Sequence, residues 1–156
     1  MPFGLTKESI QQVESALLLP TSCQMFYDFV HDLGDVQGVT LMALFADLRV
    51  FNDIVSEHGG EEALKEQARI IMDDYVVDGN TYEMDSNEVI ETLRALYKQS
   101  TGEFLCDLSQ GTLFEELYEF CVGALQVYYA IFKKSDRYEQ LLGEVDRQEV
   151  MFHVLH

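Results

Sequence analysis

The placement of proline constrains this chain more than any other feature. Its two prolines are Pro2 and Pro20, so from Thr21 to His156 no residue lacks a backbone donor or clashes with a preceding helical turn. Over that stretch the apolar residues recur at helical spacing. In "LTKESIQQVESALLL" Ile10, Val13, Ala16 and Leu17 share a stripe, Thr6 is placed to cap it, and Pro20 closes it. "SCQMFYDFVHDL" aligns Cys23, Phe26, Tyr27 and Val30 and stops before Gly34. "VTLMALFADLRVFNDIV" aligns Leu41, Leu44, Phe45, Leu48, Phe51 and Val55, ahead of Gly59 and Gly60.

Further on, "EEALKEQARIIMDDYVV" carries Leu64, Ala68, Ile71, Met72 and Tyr75, with Glu61 and Glu62 suited to the positive helix start. Asp85 and Glu88 form an Asp variant of the capping box before Val89, Ile90, Leu93, Leu96 and Tyr97. A loop around Gly102 and Gly111 leads to a long helix over 113–132. A helix over 138–145 and a terminal helix from Asp146 follow. The uncharged run "FCVGALQVYYAIF" reads as a helix apolar on most faces and central to the core. The sum is an all-α bundle of eight to nine helices.

Length and composition agree with one globular domain over residues 1–156: apolar residues make up 47% and charged residues 24%. Twenty-eight Asp and Glu against ten Lys and Arg give a net charge of −18. That charge repels phosphate backbones and anionic lipid, which excludes nucleic-acid partners. No apolar run is long enough to span a bilayer, so direct membrane insertion is not expected. Cys23, Cys106 and Cys121 are odd in number and set in apolar stretches, which reads as reduced, buried thiols of a cytoplasmic protein.

Motifs for chemistry are sparse. His31, His58, His153 and His156 are scattered without metal-ligand spacing, and no cofactor or metal is expected. A calcium loop starting at Asp74 would place Asp78, Gly79 and Asp85 suitably, but Val76 has no side-chain oxygen for the third position. An acidic interhelical loop is the better reading. Glu115, Glu116 and Glu119 make the wet edge of a helix rather than an acid–base pair. Nucleotide-binding loops and nucleophile motifs do not occur, so the chain is not expected to be an enzyme. Lys133, Lys134 and Arg137 stand out as a basic cluster. The two lysines suit the negative end of a helix, and Ser135 or Asp136 can cap the next.

The order of these segments resembles the regulator of G-protein signalling (RGS) homology domain. "SCQMFYDFV" is similar to the early helix of that family, through Phe26 and Phe29. "TLMALFADLRVFNDI" is similar to its aromatic fourth helix, with Leu44 and Phe45 in place of the Phe-Trp pair. "EQARIIMDDYV" matches a further helix through Ala68, Ile71 and Tyr75, and "YEMDSNEVIETL" its Asn-containing turn. "KKSDRYEQLL" resembles the closing motif. The matches span roughly residues 22–143.

The resemblance implies a helical bundle that binds a G-protein α subunit and steadies its switch regions without donating a catalytic group. Position by position it implies a contact surface of Thr40, Leu41, Glu83, Asp85, Asp136, Arg137 and Gln140. Glu83 stands where the family has its key Asn, Thr40 and Leu41 where it has an acidic residue and Asn, and Gln140 where it has Arg. An anion at position 83 is set against GTPase acceleration, because burying an unpaired charge costs several kcal/mol. The expectation is a protein-binding regulator of Gα subunits. The alternative is a scaffold or trafficking module that uses the same bundle for another partner.

Overall fold

A computed structural model describes residues 5–76, 88–99 and 112–155. Among them are seven α-helices, α1 (Val13–Leu17), α2 (Pro20–Asp32), α3 (Val36–Ser56), α4 (Glu61–Ile71), α5 (Glu88–Gln99), α6 (Thr112–Phe132) and α7 (Asp136–Leu155), with a π-helical turn at Met72–Val76 and no strand. The fold class is all-α. The chain divides into two compact units: Met1–Val39 with Val122–His156, and Thr40–Cys121.

In the first unit the anticipated opening helix is replaced over its first half by turns. Thr6 and Ser9 close on each other: the Ser9 N–H donates to Thr6 Oγ1 at 3.1 Å, and the Thr6 N–H to Ser9 Oγ at 2.9 Å. This satisfies backbone donors locally, and α1 begins only at Val13. Ile10, Val13, Ala16 and Leu17 are nevertheless all buried. Pro20 opens α2 rather than ending α1, since a first-turn position leaves its missing donor without consequence.

The inward face of α2 is Ser22, Phe26 and Val30, while Tyr27 is exposed and Cys23 half-buried. Phe26 meets Tyr129 edge-on at 5.1 Å and Phe132 at 5.4 Å between ring centroids, geometries that add to simple burial. The Tyr129 hydroxyl donates to the Ile10 carbonyl, and Tyr138 reaches the same oxygen at 3.4 Å. Burial raises the pKa of both phenols above the usual tyrosine value, with the neighbouring Tyr138 adding to the shift at Tyr129.

α7 is one helix where two were expected. Its residues all keep a backbone donor, and an ion pair from Arg147 to Glu144, 2.6 Å, bridges the anticipated break. The inward stripe Tyr138, Leu141 and Val145 stops there, and Val150, Met151 and Val154 are exposed beyond it. The end of burial is not the end of the helix.

The second unit is built on the expected stripe of α3: Leu41, Leu44, Phe45, Leu48 and Phe51 are buried. Phe51 meets Phe114 edge-on at 4.9 Å. The stop signal differs from the anticipated glycine pair. His58 takes the left-handed conformation, φ 54°, with Gly59 N–H donating to the Ile54 carbonyl at 2.8 Å and His58 N–H to Val55 at 3.2 Å. That is a Schellman closure with a histidine where glycine is usual.

From α4 into the π turn, the buried residues come as pairs: Gln67 with Ala68, Ile71 with Met72, Tyr75 with Val76. A repeat of four outruns the 3.6 residues of an α-helix, and widening the last turn keeps the third pair inward. Tyr75 then donates to Asp47 Oδ2 at 2.6 Å, and Arg94 Nε of α5 to the Val76 carbonyl at 2.7 Å.

Candidate functional site

In the first unit the end of α2 and the turn after it are tied to the segment around the start of α7, where the resemblance places Asp136, Arg137 and Gln140. α2 ends through Gly34, whose φ of +74° suits glycine. Asp35 caps α3 by accepting the Gln37 N–H at 3.0 Å, while its other oxygen accepts the Tyr128 hydroxyl at 2.6 Å. Gly38 permits the close approach behind the turn. A Cβ there would sit 2.6 Å from Val30 and 3.1 Å from Tyr128.

Ser135 begins α7 as its cap, which decides between the two candidate caps. Its hydroxyl accepts the Tyr138 N–H at 3.3 Å and donates to the Phe132 carbonyl at 2.6 Å. Lys133 donates to the Gln11 carbonyl at 3.2 Å. Arg137 forms an ion pair with Asp32 at the end of α2. The hydrogen bond and the charge of Arg137, in that order, lower the Asp32 pKa below the usual carboxylate range. The basic cluster therefore has a largely structural explanation, including Arg137.

Around this junction Asp32, Leu33, Asp35 and Val36 are exposed, as are Asp136 and Gln140 one turn apart on α7. Leu33 and Val36 put apolar surface between the carboxylates. Such a surface can offer acceptors and a small hydrophobic contact to a protein. Sequence reasoning named Asp136, Arg137 and Gln140 but missed Asp32 and Asp35. The adjacent Gly34 marked the turn without revealing its partner.

The other expected site residues lie elsewhere. Thr40 and Leu41 belong to the second unit and are buried, with 2% and 4% of their surface exposed. Buried on an inward helix face, they offer no side-chain surface to a partner. Glu83 and Asp85 lie outside the described residues, as does most of the segment considered as a calcium loop.

Among the described residues, no cluster of three His, Cys, Asp or Glu is placed to hold a metal, and no helix is long and apolar enough to cross a membrane. Cys121 is buried, its thiol donating to the Leu41 carbonyl at 3.2 Å, and desolvation pushes its pKa up to about 12. A thiol so held is a poor nucleophile. Comparison of the chain with family models, curated proteins and solved structures returned no match.

Proposed function

We propose that this chain is a protein-binding module of the RGS-homology kind that docks on a G-protein α subunit without accelerating GTP hydrolysis. The observation that carries the reading is the Arg137–Asp32 ion pair. It holds the start of α7, where the sequence resemblance places Asp136, Arg137 and Gln140, against the end of α2. Asp136 and Gln140 are exposed beside it.

The test is binding to Gα in two nucleotide states, with GDP alone and with GDP and aluminium fluoride, together with single-turnover hydrolysis. State-dependent binding with an unchanged hydrolysis rate is expected, and Asp136→Lys should weaken it. Equal absence of binding in both states would refute the reading.

A second reading is favoured by the burial of Thr40 and Leu41. Two positions that would face a switch region are turned inward, which suits docking of another protein regardless of nucleotide. Recovery of a partner that is indifferent to GDP or GTP would support it.

A further inference from the structure

We infer that the outward face of α6 is a docking surface for a second copy of this chain, packed antiparallel about Val127. This stands apart from the Gα reading and uses different residues. The run Phe120–Phe132 carries no charged residue in a chain of net charge −18. Its inward stripe is Cys121, Leu125, Tyr129 and Phe132, all buried. The sequence led us to expect burial on most sides. Instead Val127 is 64% and Ile131 50% exposed, Ala130 is exposed, and a Cβ added to Gly123 would meet nothing within 4 Å.

The charges flanking this strip select its occupant. Glu119 is exposed before it and Lys134 is exposed after it, and neither has an ion-pair partner among the described residues. They stand eight residues before and seven after Val127, Glu119 about 12 Å back along α6 and Lys134 in the turn just past its end. An antiparallel copy sets Lys134 against Glu119 of its mate, and Glu119 against the mate's Lys134. The same two-fold arrangement sets Ile131 over the open surface of Gly123, large against small, twice. A face with opposite charges at matched distances from its centre, and a knob and a space likewise matched, complements itself. A partner of uniform charge would match only one end.

One helix pair buries little surface, so the dimer belongs among weak, transient contacts. Sedimentation velocity on the full chain, in about 0.15 M salt to screen the net charge, reads it directly. A concentration-dependent dimer with a dissociation constant on the order of 10–100 μM is expected. Ile131→Glu should raise that constant at least about tenfold while leaving the far-ultraviolet circular dichroism unchanged. Glu119→Lys and Lys134→Glu should each weaken the dimer, and the double exchange should restore it. A wild-type chain that stays monomeric to about 500 μM overturns the inference. So does an Ile131→Glu variant that dimerises as well as wild type, or a double exchange no better than the single ones.

Discussion

The two units divide the chain's surface character unequally. Met1–Val39 with Val122–His156 holds ten Asp and Glu against five Lys and Arg, a net charge of −5. Thr40–Cys121 holds eighteen against five, a net charge of −13. Exposed large apolar side chains run the other way: among the described residues all but Val50 lie in the first unit. High charge favours solubility and low charge with apolar exposure favours contact. The first unit is therefore where partners are to be sought.

The interiors should not share this asymmetry, and core truncation is the strongest way to challenge that. Phe132→Ala in the first unit and Phe51→Ala in the second remove side chains that are both fully buried and in aromatic contact. Each should cost about 3–5 kcal/mol in denaturant unfolding. A much smaller loss at Phe132 would show that the first unit is looser within as well as more apolar without.

Removing one hydroxyl is a gentler comparison. Tyr129→Phe takes a donor from the Ile10 carbonyl, and Tyr75→Phe one from Asp47. Each should cost about 1–2 kcal/mol. The Tyr129 contribution should also depend on pH. The folded pKa of Tyr129 is raised, so the stability it brings is full below the unfolded tyrosine value of about 10 and is lost as pH climbs above it. Equilibrium unfolding from neutral to strongly alkaline pH should show a steep decline in wild type and a shallower one in Tyr129→Phe.

His58 gives a small effect of opposite sign. Its left-handed backbone strains a non-glycine residue, so His58→Gly should stabilise the chain by about 1 kcal/mol in the same assay. Smallest of all, Val127→Thr on the exposed face of α6 should change the stability of the monomer by less than about 0.5 kcal/mol. A larger loss would mean that this face is covered in the folded chain.

Much of the helical architecture could be read from the chain because its cause is periodic. The α3 stripe from Leu41 to Phe51 and the α6 residues Cys121, Leu125 and Tyr129 repeat at helical spacing, and burial follows. Boundaries were harder, because capping is decided by competing local hydrogen bonds. Thr6 closes on Ser9 before any helix forms, and His58 rather than a glycine turns left-handed. The face of α2 was misjudged by a fraction of a turn: Ser22, whose hydroxyl bonds to the Ala16 carbonyl, is buried in preference to Cys23 and Tyr27. Hydropathy alone does not reveal a polar group that brings its own acceptor.

The candidate site was legible in part for a similar reason. Asp136 and Gln140 were named from a short motif, and being exposed they stand where a partner can reach them. Thr40 and Leu41 were placed by aligning the chain without gaps, yet the inward stripe of α3 includes Leu41. Asp32 could not be identified, because its partner Arg137 comes from the far end of the sequence.

The buried thiol of Cys121 supplies an internal clock. Because its hydrogen bond to Leu41 closes within the second unit, an alkylating reagent can reach it only when that packing opens. Its labelling rate, followed by peptide mass spectrometry, would time the opening of α3 from α6 without any introduced probe. Each variant discussed above could be timed on the same native residue.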